Sequence, residues 1–529
     1  MIPTLTGAAT LTLKSLRRDR LLVTIWLALL GGVCYASAAA TETLYPTAAD
    51  RVSAAAALNA SPGVVALYGP IVDPQSLGEL AMTKMTVLYA VFVALLFVVL
   101  VRRHTRLEEE SGQAELLGGT ALGRDAVLAA AWTESVIVAG GVGALAALTC
   151  VAGGLPVFGS VAFGASWAGI GLFAAALTAV ACQLSASART CAAYAATALG
   201  GLFLVRAVGD TTTSWLSWLS PFGWSTKLHA WSGTRWWILG LYVGGVLLLI
   251  AVAQILQVRR DLGAGMLAPR PGPETAPPHL ADALSLAVRL NTAMLIGWSL
   301  AVGVLGTVLG SIAPNIGSML DSSAARDMMV RIGGPGAMQD TLIAAELSII
   351  AVVVTCFAVT VVAHGGRDEH EGRTEQVLAT ATSRTAVFWA TAAVALLGST
   401  WLLALSGAAV GLGYGLAGGH PGTALASVVP AALVQAPAVW LVTALAVAAF
   451  ALRSSWSAAG WGFIAGFLTL GQLGELLQLP QAIIKLSPYV HPPRMPAEPF
   501  TSGAMIVLCA LAAVVLMLAT EGYRFRDID

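Results

Sequence analysis

Charge is what this sequence has least of. Only 11% of its 529 residues are Asp, Glu, Lys or Arg, and 28 basic residues balance 28 acidic ones. So little charge excludes the solvated surface of an ordinary soluble domain. The zero balance, with no basic stripe carrying interleaved aromatics, excludes a nucleic-acid binder. Lysine is scarcer still. Lys14, Lys84, Lys227 and Lys485 are all there are, and none stands in GxxxxGK[ST], so nucleotide energy has to come from another subunit. No GxSxG elbow marks a serine hydrolase. Six cysteines (Cys34, Cys150, Cys182, Cys191, Cys356, Cys509) stand singly in or beside apolar runs, without CxxC or His spacing, which reads as packing and not as a disulfide or zinc framework. His364, His370 and Glu371 are near in sequence, yet no third ligand of matching spacing follows and the first half offers only His104. No metal site is expected.

What the chain has instead is apolar length: 57% hydrophobic residues and a mean hydropathy of +0.80. Runs of about 20 apolar residues read as membrane helices, since lipid gives an exposed backbone no other way to pair its N–H and C=O groups. They fall near 21–40, 81–101, 126–152, 160–184, 190–208 and 235–257, then 292–313, 341–363, 386–412, 424–452, 456–474 and 501–519. The fold class is an all-α polytopic membrane protein of about twelve spans. Lys14, Arg17, Arg18 and Arg20 before the first run, which ends in Ala36-Ser37-Ala38, resemble a signal peptide. The same arrangement returns inside the chain as Arg289 before 294–313, with Trp298 in the place of Trp26, so a first membrane helix with a basic foot is expected. Most basic residues fall on one side if both termini are cytoplasmic.

The chain is also doubled. At an offset of 260 residues Gly112 falls on Gly372, Glu115 on Glu375, Thr120 on Thr380, Ala121 on Ala381 and Arg124 on Arg384, while Glu108 and Glu109 meet Asp368 and Glu369. Gly69-Pro70 matches Gly334-Pro335, Leu219-Ser220-Pro221-Phe222 matches Leu486-Ser487-Pro488-Tyr489, and Arg260-Asp261 matches Arg526-Asp527. Residues 1–261 and 284–529 read as two six-span halves, joined by a Pro-rich cytoplasmic linker over 262–283. An even number of spans makes the repeats parallel, with a central path expected between them.

The polar runs at 104–124 and 364–384 are the strongest functional candidates. The acids Glu108, Glu109, Glu369 and Glu371 can open a helix at its positive end, Gly112 and Gly372 can turn the backbone, and Glu115 and Glu375 can offer carboxylates to a partner's arginine. Arg124 and Arg384 close each run. Among the few ionisable residues within spans, Glu134 has Val394 as its counterpart and reads either as a satisfied structural carboxylate or as a substrate or proton site. Arg206 and Asp210 suit a local ion pair, and Glu346 an outer vestibule. Met82, Met85, Tyr89 and Phe92 form a stripe that, with Phe357, Phe463 and Phe467, either packs helices or lines an apolar substrate path. Six of the 15 tryptophans (Trp215, Trp218, Trp224, Trp231, Trp236, Trp237) crowd an external stretch, as interfacial or partly re-entrant helices or as an aromatic belt.

These residues resemble the permeases of ABC-2-type transporters, and among them the duplicated actinobacterial group described as exporters of polyketide antibiotics, which includes tetronasin-resistance permeases and a mycobacterial multidrug efflux permease. The resemblance rests on Glu108-Glu109-Glu110-Ser111-Gly112-Gln113-Ala114-Glu115-Leu116-Leu117 with Arg124, the copy Glu371-Gly372-Arg373-Thr374-Glu375 with Arg384, Ser220-Pro221-Phe222-Gly223-Trp224, and Arg259-Arg260-Asp261-Leu262-Gly263. It implies a type V exporter fold in which the fused permease binds two copies of a separate ABC ATPase, the subunit that holds ATP and Mg. Coupling helices would lie at 108–117 and 369–378, and basic connecting helices at 11–20 and 283–290. Pro221, Phe222, Pro488 and Tyr489 would border the external exit of a small hydrophobic substrate. His370 and Gln376, standing where the first copy has Glu110 and Leu116, make the two ATPase contacts unequal. The rival is a proton-driven twelve-helix carrier, for which Glu134 would have to serve and which lacks its GxxxDRxGR-type motif here. A membrane transferase would want a clustered acid or metal site on a loop, and no such cluster stands out.

Overall fold

The computed structural model describes residues 4–60, 62–212, 215–261, 263–267, 274–275, 277–278, 280–312, 337–473 and 480–527. Gly334-Pro335 and nine residues of the Pro-rich linker (262, 268–273, 276 and 279) lie outside these. Among the described residues every regular element is a helix, and the chain divides into two compact units, Met1–Gly272 and Pro273–Asp529.

In the first unit the long helices are α1 (Ala8–Leu44), α5 (Ala90–His104), α8 (Ala126–Ala152), α9 (Val157–Leu184), α10 (Ala188–Thr211) and α12 (Ile238–Arg259). Shorter ones are α2 (Ala48–Asn59), α3 (Pro62–Tyr68), α4 (Leu77–Lys84), α6 (Arg106–Glu110), α7 (Gln113–Gly118) and α11 (Pro221–Lys227). The second unit holds α13 (Ala283–Ile312), α14 (Ala337–His370), α15 (Arg373–Leu378), α16 (Arg384–Gly418), α17 (Pro421–Leu433), α18 (Ala436–Leu452), α19 (Ala459–Leu468), α20 (Gln481–Ile484) and α21 (Gly503–Phe525).

Eleven helical stretches among the described residues are long and apolar enough to cross a membrane, against twelve expected. The difference is the run at 456–474. Its described part breaks into a 3-10 turn at Ser454–Ala458, α19 and a π turn at Thr469–Leu473, none of them long enough alone, and 474–479 lie outside the described residues. Two boundaries also differ, for physical reasons. The basic foot continues α1 without a break, because Arg and Lys are good helix formers and the turn is supplied further back, at Gly7 with φ +84°. The expected span 424–452 is two helices, interrupted at 434–435 just before Pro437, whose nitrogen has no hydrogen to donate.

Each unit is built around its fourth span. In the first, α5, α8, α10 and α12 all pack on α9; in the second, α14, α16 and α21 pack on α18. The first span of each half lies against the third, α1 on α8 and α13 on α16. Trp167, buried at the centre of α9, donates its indole N–H to the Met85 carbonyl at 3.1 Å, beside a π turn at Met85–Tyr89. All six cysteines are free.

Close crossing of backbones holds these helices together. A side chain at Gly143 of α8 would begin 2.7 Å from the Gly164 carbonyl of α9, and one at Gly164 would press on the Gly143 carbonyl in return. Helices in lipid gain no hydrophobic effect from touching, so such small-residue contacts carry the packing. Gly164→Val is therefore expected to cost about 1–3 kcal/mol, read as a lower melting temperature in detergent, whereas Gly141→Ala, which meets open space, leaves it unchanged. Equal melting temperatures for the two variants would remove this crossing as a source of stability.

Candidate functional site

The two polar runs fold alike. In the first, α5 ends at His104, Thr105 (φ −123°, ψ −88°) breaks the helix, and α6 follows. Gly112, at φ +74°, then reverses the backbone into α7. In the second, α14 runs on to His370 and Gly372, at φ +71°, makes the same reversal into α15. Both glycine N–H groups donate to the carbonyl three residues back, Glu109 or Glu369. The repeated glycine is explained by this left-handed turn, which costs any other L-residue about 1 kcal/mol or more.

Glu108, Glu109 and Glu369 face inward. Glu109 takes both terminal nitrogens of Arg260, at 2.9 and 2.6 Å, a third bond from Arg106 at 2.9 Å and the Gly263 N–H at 3.3 Å. Arg106, 1% exposed, also donates through Nε to the Cys182 carbonyl at 3.0 Å and through Nη1 to that of Ala264 at 3.1 Å. Arg260 Nε reaches Gln183 Oε1 at 2.5 Å. One bidentate pair thus fastens α6 to the ends of the fourth and sixth spans.

The second unit repeats the fastening with other dressing. Arg526 pairs with buried Glu369, and its guanidinium lies 5.1 Å over the Tyr523 ring and 5.5 Å over that of Phe450. Rings do here what Arg106 and Gln183 do in the first, since Gly366 stands in the place of Arg106. Arg124 and Arg384 are also matched in structure. Arg124 donates to the Val258 carbonyl at 3.0 Å and Arg384 to that of Arg526 at 2.7 Å, each satisfying backbone at the end of its half's last helix. Glu110 caps the start of α10 by accepting from Ala188 N–H at 3.0 Å.

The exposed charges gather around and beyond the glycine. Glu115 and Glu375 are exposed, as are Glu371 and Arg373, and Leu116 is 78% exposed where the second copy has exposed Gln376. Asp368 first, then Glu371, hold the Arg373 guanidinium above its ordinary pKa. Sequence spacing groups the inward acids Glu108, Glu109 and Glu369, with Arg124 and Arg384, among these partner-facing residues. It does not show which side of a short helix meets its own protein.

The remaining candidates separate by place. Met85 and Phe357 lie in the cores of their units, Phe357 against Gly398 and 6.2 Å from the Trp298 ring. Phe92, 5.7 Å from Tyr89, is exposed on its unit, and Phe463 and Phe467 stack at 6.4 Å, half-buried. At the other end, Ser220 Oγ caps α11, whose first residue is Pro221, and the Pro221 carbonyl accepts from Tyr242 Oη at 2.6 Å. Phe222 is fully buried against Phe203. Tyr489 is buried too and donates to Thr355 Oγ1 at 2.8 Å. Both Ser-Pro-aromatic motifs thus anchor short helices to their own unit. Trp218 and Trp237 stack at 5.7 Å over this region. Arg206 and Asp210 are paired at 3.2 Å, and Glu346 is buried with Oε2 lacking a hydrogen bond.

One group escapes sequence reasoning. Asp19 of α1 meets His104 at 2.7 Å, His104 lies 3.6 Å from Glu134 of α8, and Arg103 reaches Asp19 at 2.8 Å. The only signal for Asp19 is an acid set in the basic foot between Arg18 and Arg20.

Breaking the fastening leaves a buried carboxylate alone. Arg260→Ala is expected to cost about 3–5 kcal/mol, while Glu109→Gln with Arg260→Met recovers a large part of it. A chemical or thermal unfolding series on the three proteins checks this, and a loss below about 1 kcal/mol for the single variant would mean the pair holds nothing.

Two comparisons bear on this arrangement. A family model described as the C-terminal domain of multidrug efflux system permease Rv1217c matches residues 280–524, which takes in α15, Arg384 and α21. The multidrug efflux system permease protein Rv1217c of Mycobacterium tuberculosis is 39% identical over 525 residues, 99% of this chain and 95% of that protein. With its helical spans and its doubled polar runs, the chain belongs to the Rv1217c family of multidrug efflux system permeases.

Proposed function

We propose that this chain is the membrane-spanning subunit of an ATP-driven exporter of small hydrophobic drugs or polyketide-type antibiotics, with both termini cytoplasmic. Two copies of a separate ABC ATPase dock on it, one at Glu115 and Leu116, the other at Glu375 and Gln376. One observation carries the reading: in each half an exposed acidic helix tip grows from a root locked to that half's last span. The relative's name as an efflux permease supports the substrate class.

The chemistry of ATP and Mg belongs to the ATPase. This chain contributes a carboxylate for a partner's arginine and a rigid path inward. A push on α7 passes through the glycine turn to α6, and through Glu109 and Arg260 to α12. The corresponding path in the second half is α15, Glu369, Arg526 and α21. ATP drives the cycle because it binds the closed ATPase pair more tightly than the open one; equal affinity for both states would shift nothing. Leu116 against Gln376 makes the first dock the more apolar of the two.

A second reading, a proton-driven carrier, is favoured by one feature, the buried Asp19, His104 and Glu134 group. The complex decides between them. Co-expressed with its ATPase, Glu115→Arg with Glu375→Arg should lower drug-stimulated hydrolysis by about tenfold or more, the scale for reversing one partner of an interfacial charge pair, at an unchanged melting temperature. Full hydrolysis in that variant sinks the docking sites. Drug efflux by the chain alone, in vesicles energised only by a pH gradient, replaces the exporter with the carrier.

A further inference from the structure

We infer that the first half carries a proton-binding site, formed by His104, Asp19 and Glu134 where α1, α5 and α8 meet. The polar atoms of these three side chains lie within 4.8 Å of one another, and all three residues are buried. Every charged group facing His104 from the packed elements can be named. From α1 come Asp19, at 2.7 Å, and Lys14, which shares a cleft with it; from α6 comes Glu108, at 3.7 Å; from α8 comes Glu134, at 3.6 Å. Arg103 neutralises Asp19 at 2.8 Å, and Arg18 does the same for Glu108 at 3.2 Å.

The charges of the paired groups then determine the ligand. Two guanidiniums face three carboxylates across one imidazole. With the imidazole neutral and all acids ionised, the ion-paired groups keep one negative charge; Lys14, which lines the cleft but is exposed, forms no ion pair with any of them. Burying an unpaired charge in a membrane helix is expensive, so neutrality calls for one proton, held on His104 or on a carboxylate. A divalent cation would overshoot that balance beside two fixed cations. The structure leaves room for the proton to move: Glu134 Oε1 and His104 Nδ1 have no hydrogen-bond partner, although both residues are at least nine-tenths buried. Because the acids interact closely, the proton belongs to the group and not to one residue.

A route to solvent exists. A small cleft lined by Lys14, Ser15, Arg18, His104 and Glu108 reaches the imidazole from the basic foot. Glu108 also makes the site sensitive to the docking element, since it sits on α6 directly before Glu109, the anchor of Arg260. Loss of the proton leaves the negative charge facing Glu108, and this repulsion acts on α6, the helix that precedes the dock.

The second half lacks the site. Asn291 occupies the place of Asp19, on the register that aligns Trp298 with Trp26, and Val394 that of Glu134, leaving His364 as the sole matching group. Asn291 simply donates to Ala287 one turn back at 2.9 Å.

The test needs neither an ATPase nor a drug, so it can fail while the exporter reading stands, and the reverse. The purified full chain in nanodiscs, treated with chelator, is titrated potentiometrically between about pH 5 and pH 9, the range in which a histidine and displaced carboxyls exchange protons. Wild type should release one proton more than His104→Gln with Glu134→Gln. If that double variant fails to fold, infrared difference spectra of wild type and of His104→Gln alone are compared over the same range. A protonated-carboxyl or imidazolium band that grows as pH falls in wild type and is missing from the single variant supports the site. Equal proton release by wild type and variant, or the same pH-dependent bands in both, overturns it.

Discussion

Everything in each half depends on an arginine at its far end that turns back to hold a carboxylate near its beginning. Arg260 follows the sixth span and grips Glu109 after the second; Arg526 grips Glu369 in the same way. Such a pair is costly to bury, and on stability alone an apolar contact of equal volume would serve as well. What it adds is direction. In the first half two parallel N–H bonds to Glu109 fix the angle of α6, which propensity alone would leave marginal because five residues cannot nucleate and hold an isolated helix in water; in the second a single pair ties the end of the long α14 to Arg526. The exposed tip beyond the glycine is therefore held out by ionic geometry and not by its own stability.

The two halves solve this in different chemical dialects. In the first, Arg106 and Gln183 complete the shell of polar bonds around Glu109 and Arg260; in the second, Phe450 and Tyr523 lay aromatic faces against Arg526. Both stabilise a guanidinium in a place with little water, one by hydrogen bonds and one by the ring quadrupole. Arg106 needs the carbonyl of Cys182, and Gly366 in its place closes that route. The aromatic solution is what remains open.

Much of this is legible in the sequence. Apolar runs give the helices because lipid leaves the backbone no alternative, and the constant offset gives the repeat. The glycines at 112 and 372 read as turns, and turns they are. What stays hidden is direction of facing. Glu109 and Glu115 look alike in a string of letters, one residue type six positions apart, yet one is the buried root and the other the exposed tip. Burial depends on Arg260, about 150 residues away, and no local pattern announces so distant a partner. Asp19 is hidden for the same reason. It reads as a break in a basic foot until α5 and α8 bring His104 and Glu134 to it. The span at 456–474 shows the opposite limit: composition counts its apolar residues correctly but does not see the helix widen at Thr469.

The unlike equipment of two like halves has a physical consequence for how they can work. Aligned residues make the helices and turns of both halves, so the path from exposed tip to last span is of the same kind in each. Aligned residues do not make the same electrostatics, since one half surrounds its His104 with Asp19, Glu108 and Glu134, while the place of Glu134 in the other is taken by Val394. A charge change in the first half must be matched by movement of neighbouring groups or of protons, because nothing in lipid screens it. In the second half buried Glu369 keeps its partner in Arg526, and no acid stands at the place of Glu134. The two halves thus differ in the charge around their matching histidines, and Glu108, next to Glu109 in the chain, brings that difference up to the buried root of the first polar run.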